Sequence, residues 1–173
     1  MTSEPSLEIR RLHASDDRLA VSGIYEASWK YAYRDILPRE YLESIPAGRW
    51  VSGLDFSDRI HLVMLDGGRY IGAACCCASR FPEFTGWGEI VSLYLLPEYM
   101  GRGYGRPLLE AAVAALCARG YEKVFLWVLE ENRRARGLYE RAGFRYGGIS
   151  REDVIGGRAV RELAYCRADR DCR

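Results

Sequence analysis

The sequence predicts an α/β fold of the α+β kind: a single domain (residues 1–173) on a mixed, mostly antiparallel sheet of about seven strands, flanked by about four helices. Three observations predict it. Short apolar runs are joined by tight turn signals, Asp66-Gly67-Gly68 and Gly156-Gly157, which make hairpins. Three stretches carry apolar residues at helical spacing, and Pro38 can open a further short helix. The 173 residues contain no internal repeat, low-complexity tract or Pro/Ser-rich linker, and the length suits one domain. Helices interrupt the hairpins irregularly, so this is not a repeated βαβ array.

The elements follow in order. Leu7 to His13 reads as a first strand. Asp16 can cap a helix with apolar positions at Ala20, Val21, Ile24, Ala27 and Tyr31. Pro38 can open a short second helix through Ile45. Ile60–Leu65 and Tyr70–Ser79 form a hairpin, and Glu89 to Leu96 is a strand ended by Pro97. From Arg106 a third helix carries apolar residues at 108, 109, 112, 113, 116 and 117, and Gly120 ends it. Val124–Leu129 is a strand. Asn132 is placed to cap a helix through Ala142, stopped by Gly143. Phe144–Ile149 and Val160–Cys166 close the sheet.

Composition excludes several classes. Hydrophobic residues make up 49% and charged residues 28%, ordinary values for a folded globular chain. The net charge of +1 argues against a dedicated nucleic-acid binder. No apolar run approaches the roughly 20 residues of a membrane span, and Met1 to Arg11 has no signal-peptide h-region. Cytoplasmic residence is therefore expected. The six cysteines show no metal-ligand spacing, so no metal is expected. Without an export signal they are expected to be thiols, with Cys75-Cys76-Cys77 packed as small hydrophobes in a strand.

Charge is unevenly spread. Residues 1–100 hold 10 basic and 14 acidic groups, and residues 101–145 hold 9 basic and 5 acidic. Most of the second group is arginine: 102, 106, 119, 133, 134, 136, 141 and 145. A solvated helical face would explain this, unless phosphate-binding backbone lies in the same segment.

Such backbone is present. In Leu93-Tyr94-Leu95-Leu96-Pro97-Glu98-Tyr99-Met100-Gly101-Arg102-Gly103-Tyr104-Gly105 a strand ends, three alternating glycines follow and a helix begins. Glycines let a ligand approach the backbone, and a helix N-terminus adds unpaired N–H groups and positive potential. Together they can cradle a pyrophosphate. A plain turn would use the same glycines, and the glycines alone leave both readings open. The P-loop and the G-x-G-x-x-G fingerprint are absent. Downstream, Asn132 and Tyr139 lie seven residues apart, on one helical face.

On these two blocks, 89–117 and 124–144, the chain resembles the GNAT superfamily of acetyl-CoA-dependent N-acetyltransferases. Trp29…Ala32-Tyr33…Ile36-Leu37-Pro38 is also similar to a group of bacterial members. The resemblance implies the GNAT-like fold, acetyl-CoA as cosubstrate, and direct acetyl transfer to a primary amine in a ternary complex. It assigns the pyrophosphate to Met100, Gly101, Arg102, Gly103, Tyr104, Gly105 and Arg106, with Met100 replacing the usual Gln or Arg. It assigns the pantetheine arm to Leu93, Tyr94 and Leu95, with the Leu95 amide polarising the acetyl carbonyl. Asn132 and Ala135 match cofactor-contacting positions. Tyr139 matches the tyrosine that protonates the departing thiolate; spacing alone would read it as a core tyrosine. Glu89 is the candidate base, and a strand-end surface Glu is the competing reading. Trp29, Tyr31, Tyr33 and Tyr41 are candidate acceptor walls, with core packing as the alternative. The acceptor would be a small-molecule or peptide amine, and homodimerisation is a family expectation. A non-catalytic acyl-CoA-binding domain of the same fold is the alternative function.

Overall fold

A computed structural model describes residues 7–168. In chain order the elements are β1 Leu7–Arg11, α1 Arg18–Ala32, α2 Arg39–Glu43, β2 Ile60–Asp66, β3 Arg69–Ala78, β4 Gly88–Leu95, α3 Gly105–Cys117, β5 Lys123–Leu129, α4 Arg133–Arg141, β6 Arg145–Ile155 and β7 Arg158–Ala168. The seven strands form one sheet in the order β1-β2-β3-β4-β5-β7-β6. Every neighbouring pair is antiparallel except β4 and β5. The fold class, the element count and the mixed sheet match the expectation from sequence.

One local expectation fails. Asp17, not Asp16, caps α1, its side chain accepting from Ala20 N–H at 3.0 Å. A cap bonds the third helical residue, and with Arg18 first that residue is Ala20. Asp16 instead receives both Nη groups of Arg10, each at 2.7 Å.

The core has two sides. On one, Leu108, Leu109, Ala112, Val113 and Leu116 of α3 are at most 2% exposed and pack on the sheet. On the other, Val21, Ile24 and Tyr25 of α1 cover Val63, Leu65 and Ala73. Strand β3 is buried on both faces from Ile71 to Cys77. The cysteine triplet lies there and packs as expected. Cys75, Cys76, Cys77 and Cys166 are free thiols.

The feature that makes a site is the parting of β4 and β5. Their parallel pairing holds only at Gly88↔Val124, Glu89↔Phe125 and Ile90↔Leu126. Directly after it, β4 carries a bulge: Cys75 pairs Ser92 and Cys76 pairs Ile90, so Val91 is the extra residue. A bulge bends its strand and raises the twist. Beyond it β4 stays with β3, while β5 stays with β7.

Candidate active site

The parted strands open a cleft of about 540 Å³. The β4 edge from Val91 to Leu95 has no strand partner on this side among the described residues. N–H groups alternate sides along a strand, and Leu96 N–H donates to Ile71 O at 2.8 Å on the β3 side. Leu95 N–H therefore points into the gap. From the α1 side the stretch is held by Tyr25, whose hydroxyl pairs with Ser92 Oγ at 3.1 Å, and by Trp29 Nε1, which donates to Tyr94 Oη at 3.0 Å.

After β4 the chain turns through Pro97–Tyr99 into the glycine loop. Gly101 and Gly103 have φ of +73° and +91°, where an L side chain is strained. A Cβ would meet nothing at either, so conformation and open access are what glycine supplies there. Gly105 differs: its Cβ would stand 3.1 Å from Leu138 Cδ2, so it lets α3 pack close to α4. Helix α3 has no side-chain cap and no acidic residue in its first turn. Its first N–H groups are thus available to an anion. Helix α4, by contrast, is capped by Asn132, whose Oδ1 accepts from Ala135 N–H at 3.2 Å.

Most residues expected at a site come together here. Glu89, Leu93, Tyr94, Leu95, Met100, Gly101, Gly103, Gly105, Arg106, Asn132, Ala135, Tyr139, Trp29 and Tyr33 all line the cleft. Arg102, Tyr104, Tyr31 and Tyr41 do not. Arg102 lies over the Tyr99 and Tyr104 rings on the outer surface of the loop. Tyr31 is two residues from Trp29, about 200° around the helix, and lies under Arg34 and Arg134. Tyr33, four residues on, shares the Trp29 face at a ring distance of 5.0 Å. Tyr41 packs against the Gly156 turn.

The arginine-rich segment is divided by the fold. Arg106, Arg134 and Arg141 line the cleft. Arg119, Arg136 and Arg145 hydrogen-bond to carbonyls elsewhere.

Tyr139 is 8% exposed, and its hydroxyl makes no hydrogen bond among the described residues. Burial raises its pKa, so the phenol keeps its proton. Glu89 is 1% exposed. It accepts three hydrogen bonds from Arg80: from the backbone N–H at 3.1 Å, Nε at 3.0 Å and Nη2 at 2.6 Å. Trp127, Arg151 and Glu162 also line the cleft, with Arg151 paired to Glu162 across β6 and β7. Sequence reasoning missed Arg80 and these three. A usable signal existed for one pair, because Arg151 and Glu162 are equidistant from the Gly156-Gly157 turn and must face each other in the hairpin.

Cys75 has a histidine neighbour, His61 Nε2 at 4.0 Å across β2 and β3. Neither residue lines the cleft. Burial pushes the thiol up to about 11 and lowers the imidazole, so the pair does not supply a thiolate. Among the described residues no three His, Cys, Asp or Glu side chains gather as metal ligands, and no helix is long and apolar enough to cross a membrane.

A sequence model of the Acetyltransferase (GNAT) family matches residues 21–144. An uncharacterized N-acetyltransferase of Archaeoglobus fulgidus is 32% identical over 142 residues, 77% of this chain and 89% of that one. The spermidine N(1)-acetyltransferase of Thermoplasma acidophilum is 25% identical over 169 residues, 92% of this chain and 98% of that one. Among solved structures, the PaiA N-acetyltransferase of Thermoplasma acidophilum in complex with coenzyme A superposes with a TM-score of 0.74 at 24% identity, over 94% of this chain and 99% of that one. With the family matched over most of the fold and around the cleft itself, the chain belongs to the GNAT family of N-acetyltransferases.

Proposed function

We propose that the protein transfers an acetyl group from acetyl-CoA to a primary amine on a small molecule or peptide, by direct attack with both substrates bound. The observation that carries this reading is the parting of β4 from β5 beyond Ile90. It puts an unpaired strand edge, an uncapped helix N-terminus and a free tyrosine hydroxyl on one cleft. Coenzyme A offers an amide-bearing arm for the edge and a pyrophosphate for the loop. Relatives named as N-acetyltransferases, and a similar fold solved with coenzyme A, support it.

Acetyl-CoA supplies an activated thioester, whose C–S bond breaks as the amine's N–C bond forms; one proton leaves nitrogen and one reaches sulfur. The protein's residues then have distinct tasks. Leu93, Tyr94 and Leu95 hold the arm, and the Leu95 N–H donates to the acyl oxygen. Met100, Gly101, Gly103, Gly105 and Arg106 bind the pyrophosphate, helped by the Arg106 charge. Asn132 and Ala135 form the wall beside it. Tyr139 delivers a proton to sulfur. Its raised pKa is no obstacle, because the same dry cleft raises the basicity of a departing thiolate. Glu89, oriented by Arg80, takes the amine proton directly or through a water. Trp29 and Tyr33 face the acceptor.

A thermal-shift panel with acetyl-CoA, coenzyme A, ATP and NAD tests the reading. A ligand at 100 times its Kd stabilises by about 2.7 kcal/mol, roughly 5–10 °C here. A shift with the two coenzyme A compounds alone, followed by acetylation of an amine, supports it. Binding without transfer to any amine would leave a non-catalytic acyl-CoA-binding domain. No shift with them, or a shift only with ATP or NAD, overturns it.

A further inference from the structure

The acceptor end of the cleft has a charge arrangement that the transfer chemistry does not require. Two guanidiniums converge on one ring: Arg80 Cζ lies 5.7 Å and Arg151 Cζ 4.8 Å from the Phe81 centroid. Arg151 also lies 4.7 Å from the Trp127 ring. Each arginine is paired with a carboxylate that is more buried than itself. The side-chain exposures are 44% for Arg80 against 1% for Glu89, and 38% for Arg151 against 14% for Glu162. The two carboxylates are thus neutralised from the side where a ligand enters.

Donors remain on that side. Arg151 bonds Glu162 through Nε alone, and its two Nη groups make no hydrogen bond among the described residues. Arg80 uses its Nε and Nη2 on Glu89 and leaves Nη1. Trp127 also lines the cleft, and its buried Nε1–H has no partner among the described residues. Buried donors of this kind call for an acceptor. Aromatic rings on one side restrict the guanidiniums and leave their fork-shaped N–H groups to meet an acceptor in plane.

We infer that the acceptor amine carries a carboxylate, recognised by Arg151 and Arg80 beside Trp127, so that the substrate is an amino-acid-like zwitterion rather than a polyamine. The inference rests on the acetyl-transfer reading of the cleft. A polyamine would bring two or more positive charges to a wall whose carboxylates already carry guanidinium partners. A zwitterion presents its ammonium toward Glu89 and its carboxylate to the free Nη groups, which match it as a bidentate pair.

The experiment measures kcat/KM with saturating acetyl-CoA for α-amino acids, for the same amino acids as carboxamides, and for spermidine. The expected result is a preference of about 10–100-fold for the free carboxylate over its matched amide, the range for one charged hydrogen-bonded contact. Arg151→Gln should collapse that ratio, mainly through KM, and Arg151→Lys should restore part of it. The wild-type panel stands even if a variant fails to fold. Equal or better use of amides or spermidine overturns the inference while leaving the transferase reading intact; acetyl-CoA binding with no amine of the panel acetylated overturns it too and favours the non-catalytic binding domain. Failure of acetyl-CoA to bind removes both.

Discussion

Arg80 holds Glu89 by three hydrogen bonds, of 3.1, 3.0 and 2.6 Å, and the carboxylate is buried while its partner is half exposed. The arrangement orients an ionised group at the point where β4 leaves β5. Removing the cation strands a buried charge, which costs about 3–5 kcal/mol in a fully buried pair. Arg80 is partly solvated, so Arg80→Ala should fall at the lower end, about 3 kcal/mol by urea unfolding. Glu89→Gln keeps the shape and should lose less stability, but should lower kcat by about 10²-fold or more if Glu89 is the base. Wild-type turnover in Glu89→Gln would remove it from that role.

Tyr139→Phe deletes a hydroxyl that has no hydrogen-bond partner among the described residues, so the fold should lose little. Turnover should drop by about 10²–10⁴-fold, the usual contribution of a positioned acid. The Kd for coenzyme A by calorimetry should stay within about twofold. A parallel loss of binding would show that the tyrosine acts by packing instead.

Gly103→Ala forces an L residue to φ near +91° in the loop. The strain is about 1–2 kcal/mol, equivalent to roughly tenfold in a binding constant. Coenzyme A affinity should fall by that factor or more if the loop must hold this backbone to bind. Gly105→Ala tests packing, since its Cβ meets Leu138 at 3.1 Å, and should show first as lowered Tm.

Asp16 accepts from Arg10 Nη1 and Nη2, His13 N–H and Tyr70 O–H, and the Arg10 guanidinium holds its carboxyl well below the usual carboxylate range. Because the folded pKa lies below the unfolded value of about 3.9, the stabilisation is full above that pH. It is lost as pH falls through it toward the folded value. Asp16→Asn should lower Tm at pH 7 by at least about 2–4 °C, the equivalent of ~1 kcal/mol. Its deficit relative to wild type should shrink below about pH 4. A deficit constant from pH 7 to pH 3 would show that the carboxylate charge is not what stabilises β1 against α1.

Much of this protein is local, and what is local was readable. The hairpin turns, the glycines before α3, the Asn132 cap and the Tyr139 face follow from spacing along one strand or helix, because a helix repeats every 3.6 residues and a turn demands particular backbone angles. The seven strands and four helices were legible for that reason. The cap is Asp17 and not its neighbour Asp16, since two adjacent aspartates fit the same pattern and only the observed helix start separates them.

What tertiary structure decided was partnership across strands. The Val91 bulge, the end of pairing at Ile90 and Leu126, and the meeting of Arg80, Phe81, Trp127, Arg151 and Glu162 depend on register between segments up to 82 residues apart in the sequence. A one-residue change of register sends a side chain to the opposite face. The residue types that line the cleft were therefore set by the local sequence, while the charge pattern along its Arg80–Arg151 wall was set by which strands lie side by side.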